Sequence, residues 1–473
     1  MLTRRRLIGA AMGSLVLPRR ASAEHSFSAA VTPAVTQGFP VALDATKTFF
    51  VDQNGEPCFG SGESPQLIVE ALSNSDTLLY LNDRASRGIN LLWMIVADNK
   101  DGNNPPLDSN GDAPFSGADF TNFNEPYWQH VDFVVQQCLA RDMTILFMPF
   151  FVGITSAEGY HDSLLAASTA RLQGYADFIS TRYAAYPNII WTLGGDADCQ
   201  NATIYSQIDI FARRLKANDS NRLITMECFN SAGGTGGRVS STAGTKVGLG
   251  SVPSWLDINW VYTLAPNAIA DAQRAYDAGL PCMLGEDNYE LENLGNGLTT
   301  QLQLRTEDYG SVLGGCVLGK LLGTGEWAFN QASTGFAVSS PSWQSQLNSQ
   351  GIQTHQLAAK LFRSRAFHKL RPDTSNVVMT SGASRGAVCA RTSDGQTVIA
   401  YLPNGNETVT IDMTKITDTG SQANCNWYNP QTGAVTNIGT FSTSGTRKFT
   451  SPDSNDWVLV ADSEAAGLRA PGS

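Results

Sequence analysis

Histidine is scarce, with five in 473 residues, and no two stand in an HxxxH spacing. None of the eight cysteines belongs to a CxxC pair. These absences remove the usual zinc and thiol-redox signatures, so no catalytic transition metal and no cofactor is expected. Positive charge is also short: 32 Lys and Arg against 43 Asp and Glu leave a formal net charge of −11. An acidic chain gains nothing from releasing counterions on a phosphate backbone, so nucleic acid is not an expected partner. Apart from the amino terminus, no apolar run approaches the roughly 20 residues that a membrane-spanning helix needs. Internal repeats are missing as well.

What remains is the composition of a folded globular chain, 42% hydrophobic and 9% aromatic. The length suits a barrel of about 250 residues or more followed by a smaller module. The amino terminus reads Thr3-Arg4-Arg5-Arg6-Leu7-Ile8, then an apolar run to Leu17, then Ala21-Ser22-Ala23. Charge, apolar core and small-residue cleavage site come in the order of a Tat-type signal peptide. Residues 1–23 are therefore expected to be a signal and 24–44 a lead-in. The mature chain is expected in the periplasm or outside the cell, with no membrane attachment.

From 45 to 370 short apolar runs alternate with helical patterns, the mark of a parallel α/β fold. Eight runs can be counted: 58–62, 90–97, 144–151, 188–194, 223–228, 257–263, 282–285 and 315–319. Eight such units predict a (β/α)₈ TIM barrel, and continuous apolar runs suit strands buried on both faces. Helices are expected over 75–87, 127–140, 172–186, 203–218, 268–278 and 301–313, bounded by residues such as Ser75, Gly88 and Pro187. Residues 229–253 are rich in Gly, Ser and Thr without helical period. They are either an insertion with no chemical role or a lid over the barrel mouth. Residues 371–465 turn β-like, with tight turns at Asn404-Gly405 and Thr432-Gly433, and predict a small all-β sandwich with a frayed tail. Most cysteines sit in apolar runs as core thiols, and Cys389 and Cys425 could pair after export.

In such a barrel reactive residues stand at the carboxyl ends of the strands. The acids there are Glu63, Asp98, Asp196, Asp198, Glu227, Glu286, Asp287 and Glu326. A ring of carboxylates with aromatic company suits sugar chemistry, because carboxylates bind hydroxyls and aromatic faces stack on sugar C–H bonds. Trp93, Tyr262, Tyr289 and Trp327 are the candidate platforms, and Trp191 reads as core. Glycosidic bond cleavage needs two carboxyl groups flanking the scissile bond. Strands four and seven face each other across an eight-stranded mouth, and Asp196 and Glu286 end them. Gly194-Gly195 before Asp196 would let the chain turn sharply.

Tyr186 to Asp196, YPNIIWTLGGD, resembles the YPNIIWxLGGD motif of the apiosidase-like barrels, glycoside hydrolase family 140 and its relatives. Gly285 to Glu290 is similar to that family's GExxYE segment, and Arg84 to Asn90 to its RAxxGFN segment. Asn124 to Asp132 and Arg305 to Gly315 fit as well. The pieces Tyr401 to Gly405, Trp427 to Gly433 and Trp457 to Val460 resemble the β module that accompanies these barrels under a collagen-binding label. The resemblance implies a glycoside hydrolase, working with retention, with Asp196 as general acid/base and Glu286 as nucleophile. It also implies a carbohydrate substrate, a pentoside or furanoside of a plant or bacterial polysaccharide or oligosaccharide. One departure bears on the sugar: the family's GDTxW-like end of the first strand is Gly60-Ser61-Gly62-Glu63-Ser64-Pro65 here, with Glu63 for the aspartate and no aromatic. Glu63, Trp93, Tyr262, Tyr289 and Trp327 are the expected sugar contacts. The competing readings are a barrel that only binds carbohydrate or protein, and a transglycosylase.

Overall fold

In the computed structural model, residues 38–99, 105–156, 158–199, 201–229, 240–241, 252–293, 297–329 and 342–473 are described. The expected signal peptide lies outside them, as does most of the Gly/Ser/Thr-rich stretch 229–253.

Eight short strands are buried along almost their whole length: β1 (Gly60–Glu63), β2 (Leu91–Ile95), β3 (Thr144–Met148), β4 (Ile189–Leu193), β5 (Ile224–Met226), β6 (Ile258–Tyr262), β7 (Cys282–Glu286) and β8 (Gly319–Leu322). They pair in parallel in chain order, and β8 returns to β1, so the sheet closes on itself. Helices pack outside: α1 (Asn74–Ser86), α2 (Glu125–Leu139), α3 (Thr169–Arg182), α4 (Ala202–Asn218), α5 (Ala268–Asp277), α6 (Gln301–Gly314) and α7 (Gln350–Arg363). Among the described residues no helix follows β5, where the sequence shows no helical period; Ser240–Ser241 instead pairs antiparallel with the end of β6.

Local chemistry explains several boundaries. Ser73, rather than Ser75, caps α1: its hydroxyl accepts the Asp76 N–H. Thr300 and Gln303 form a reciprocal capping box that starts α6, satisfying amide donors that would otherwise lack partners. The eighth strand lies later than expected. The apolar 315–318 stretch is turn, and the strand begins at Gly319 and carries Lys320. A lysine in a buried strand reads as a misfit in the sequence, but Asp287 and Asp308 meet its ammonium at 2.8 and 3.0 Å. The barrel interior is filled by Trp93, Trp260, Leu146, Met148, Ile190 and Leu321 among others, with the two indoles edge to face at 5.0 Å.

The carboxyl-terminal strands, β9 (Leu370–Pro372), β10 (Met379–Ser381), β11 (Val388–Thr392), β12 (Thr397–Leu402), β13 (Thr408–Asp412), β14 (Gln422–Tyr428), β15 (Val435–Ser442), β16 (Thr446–Thr450) and β17 (Trp457–Ser463), form an antiparallel domain. Six of them are ordered β9-β11-β12-β17-β14-β15, and β10-β13-β16 make a second sheet. One shared apolar cluster joins α6 and α7 to this domain through Tyr309, Phe362, Tyr401, Tyr428 and Val458. Cys389 and Cys425 are both buried free thiols in the sandwich core, so the pairing open to them is not made. The tail is not frayed: Gly472 N–H donates to Ser364 Oγ at 2.8 Å, and Arg365 donates to the Arg469 carbonyl at 3.0 Å.

Candidate active site

The end of β4 makes an unusual turn. Gly194, Gly195 and Asp196 all have positive φ, at 99°, 82° and 50°. A side chain at Gly194 would place its Cβ 2.0 Å from the Glu227 carbonyl oxygen, so only glycine fits that close approach. The turn leaves Asp196 partly exposed and aims its main-chain N–H at Glu227 Oε1, 3.2 Å away. On the far side β7 ends in Glu286, paired with Tyr262 of β6 across an irregularity in register.

Asp196, Glu227 and Glu286 converge. One carboxylate oxygen from each lies within 4.8 Å of the others. Glu227 is fully buried, and Asp196 and Glu286 are partly open. The Glu286 carboxyl is held well above its ordinary range by burial first, then by the negative charges of Glu227 and Asp196. Tyr289 donates its hydroxyl to Glu286 Oε1 at 3.3 Å and is itself met by Gln66 Nε2 at 2.5 Å. Three clustered carboxylates are an oxygen donor set of the kind that holds Mg²⁺ or Ca²⁺. The same set is equally suited to sharing and moving protons.

A disulfide joins Cys199 to Cys228, the residue after Glu227. With the Phe229 N–H bonded to the Ala197 carbonyl at 2.9 Å, it staples the Asp196 turn to the end of β5. Sequence spacing offered no reason to pair these two cysteines, because they meet only when β4 and β5 align. Glu227 was legible merely as one of eight strand-end acids. Its signal is its place on the strand next to β4, which has weight only once Gly194 is seen against its carbonyl.

The other expected contacts divide. Tyr289 and Trp327 stand edge to face at 6.0 Å beside the carboxylates, each with a small exposed area, and Tyr262 is mostly buried at the end of β6. Trp93 is not a sugar platform here: it is 1% exposed and packed on Trp260 inside the barrel. Glu63 does not reach the mouth either. It is fully buried, paired with the Arg84 guanidinium and accepting Thr324 Oγ1 at 2.7 Å, and Arg84 also pairs with Glu326. Glu63 was read as a sugar contact because strand-end position alone does not say whether a side chain points into the mouth or beneath it, and Trp93 because an aromatic in a barrel strand can face either the mouth or the interior. Asp287 likewise turns away from Glu286 into a buried network with Lys320, Asp308, His355 and Ser61.

The family model described as "Apiosidase-like, catalytic domain" matches residues 44–369. The model described as "Putative collagen-binding domain of a collagenase" matches residues 372–462. No curated protein matches the chain. Among solved structures, one named "Glycoside hydrolase" superposes with a TM-score of 0.75 at 21% identity, covering 90% of this chain and 97% of the other. A glycoside hydrolase family 5 protein from Bacteroides vulgatus gives 0.76 at 20% identity, covering 90% and 94%. At that identity these two show the fold. The family model spans the barrel and contains the Asp196 turn and Glu286, so the chain belongs to the apiosidase-like family of glycosidases.

Proposed function

We propose that the protein is an exported, retaining glycoside hydrolase that cleaves a pentoside or furanoside linkage in a plant or bacterial polysaccharide or oligosaccharide. The observation that carries the mechanism is the separation of the carboxylates. Retaining glycosidases hold their two carboxyl groups about 5–5.5 Å apart, and inverting ones leave room for a water at roughly 6.5–9.5 Å. One oxygen of Asp196 and one of Glu286 lie within 4.8 Å of each other, a close approach that supports the retaining geometry. Asp196 protonates the leaving oxygen as Glu286 attacks the anomeric carbon. Water then releases the sugar from Glu286, with Asp196 taking the proton. Tyr289 and Trp327 supply apolar ring surface beside the reacting centre, and Tyr289 holds one Glu286 oxygen. Export is supported by the twin-arginine amino terminus and by the Cys199–Cys228 disulfide, a bond that persists in oxidising compartments.

The test is sugar release from a panel of plant and bacterial polysaccharides and aryl pentosides, comparing wild type with folded Glu286→Gln and Asp196→Asn variants. Release that collapses in both variants supports the assignment and names the sugar. Release that survives in Glu286→Gln removes the nucleophile. A transglycosylase shares the covalent intermediate, and products formed with and without an added acceptor separate the two.

A further inference from the structure

Gln66 and Tyr289 meet across the seam where the barrel closes. Gln66 follows β1 and Tyr289 follows β7, with β8 between those two strands. Both are fastened to the loop after β8. The N–H of Leu67 donates to the Trp327 carbonyl at 3.2 Å, and the N–H of Glu290 to the Gly323 carbonyl at 2.8 Å. A Cβ at Gly323 would stand 2.8 Å from Tyr289 Cγ, so the ring lies directly on that glycine. Leu67, Tyr289, Trp327 and Ala328 share one apolar cluster. On the other side of β1, the Gln66 carbonyl accepts the Ile95 N–H of β2 at 3.0 Å.

The contact between the two side chains is directional. A phenol has one hydrogen to give, and an amide nitrogen only donates. Gln66 Nε2 gives a hydrogen to the Tyr289 oxygen at 2.5 Å, and Tyr289 has Glu286 Oε1, 3.3 Å away, as the acceptor for its own. A donor at the phenol oxygen turns the hydroxyl hydrogen away from its own direction. Accepting that bond also polarises the hydroxyl and strengthens the bond it gives. Gln66 and Tyr289 are only 5% and 8% exposed, so water has little access to replace either bond.

We propose that Gln66 is a positioning residue: through the Tyr289 hydroxyl it fixes one oxygen of Glu286 and leaves the other to meet the anomeric carbon. This rests on the reading of Glu286 as nucleophile given above. The effect falls on the alignment of the attacking group and not on the affinity for sugar, so it belongs in kcat.

The first experiment needs no substrate. It is the infrared difference spectrum of the full chain carrying tyrosine labelled at the ring carbon that bears the oxygen. Subtracting the Tyr289→Phe spectrum isolates the C–O stretch of Tyr289, whose frequency differs between a phenol that both gives and accepts hydrogen bonds and one that only gives. Gln66→Met is unbranched and of similar size but has no donor, and should shift that band. Gln66→Leu is the second donor-free variant, so that a fold lost in one does not decide the result. An unmoved band overturns the proposal. The second experiment is a double-mutant cycle on the aryl glycoside that the panel identifies. Gln66→Met should lower kcat about tenfold, with KM held within about twofold. In the Tyr289→Phe background it should lower kcat no further, because no hydroxyl is left to direct. Losses that multiply overturn the proposal, since Gln66 then acts by another route. A rise in KM with kcat held overturns it as well and makes Gln66 a sugar contact. Activity that survives in Glu286→Gln refutes the nucleophile reading, while the infrared band still decides whether Gln66 directs the Tyr289 hydroxyl.

Discussion

Arg305 of α6 and Asp456 of the β domain form a two-point ion pair, Nε to Oδ2 and Nη2 to Oδ1, each at 2.8 Å and almost wholly buried. Tyr401 and Gln431 complete the carboxylate's partners at 3.0 and 3.1 Å. Breaking a buried pair by removing one partner leaves a charge uncompensated and costs about 3–5 kcal/mol. Asp456→Ala should lower the unfolding free energy by that amount, measured by chemical unfolding, with the two domains melting in one transition. Separate transitions in the wild type would show that the β domain is not a buttress of the barrel.

Glu63 should behave as a structural residue. Buried with Arg84 and Glu326, it has no route to a sugar hydroxyl. Glu63→Ala is expected to cost about 3–5 kcal/mol of stability for the same reason as above. The folded fraction should keep its KM. A KM that rises while the melting point holds would return Glu63 to the substrate site.

Gly194→Ala tests the turn. The added methyl would sit 2.0 Å from a carbonyl oxygen at a φ of +99°, so the Asp196 turn must move. Displacing a catalytic group by about 1 Å costs on the order of 100-fold in rate. Turnover should fall by that factor while far-ultraviolet circular dichroism stays native. An Ala variant with full turnover would mean that the turn does not set the acid/base position.

Removing the Cys199–Cys228 link by a double Ser substitution should cost about 2–4 kcal/mol, as for other disulfides closing loops of this kind. It should also lower turnover, because the staple lies between Asp196 and Glu227. Loss of stability with turnover intact would confine the bond to a folding role.

Stability should pass through a maximum at mildly acidic pH. Glu286 is raised by burial and by its acidic neighbours, and Glu307 by burial and then by Asp287. Such groups are protonated in the folded chain when the unfolded chain has already ionised. Their contribution is therefore complete below the unfolded value of 4.5 and is lost as pH rises through the folded value. Asp44 and Asp394 run the other way. Burial would raise them, but hydrogen bonds and, for Asp394, Lys369 hold both down at about 2, so their contribution is lost as pH falls from 3.8 towards 2. Thermal melting across pH should show Glu286→Gln more stable than wild type at alkaline pH and level with it below 4.5. A wild type whose midpoint keeps rising into alkali would contradict the buried carboxyl cluster.

Period and composition determined the barrel, the β domain and the acids that could do chemistry. Apolar runs such as LLWMI and TILFM have no polar side to offer solvent, so they predict strands covered on both faces wherever they occur. Asp196 and Glu286 were legible because strand ends are where a barrel exposes side chains, and their segments carry a family's motifs. Only the closed sheet decided the rest. Whether Glu63 and Trp93 face the mouth or the interior depends on the tilt and register of β1 and β2 in the ring, which no local pattern encodes. Lys320 looks wrong in a strand until Asp287 and Asp308 arrive from elsewhere in the chain. Glu227, Cys199 and Cys228 join the site because β5 pairs with β4, a contact between segments some 30 residues apart. Chain-local physics selects strands and turns, whereas neighbours across the sheet determine which carboxyl groups are brought together.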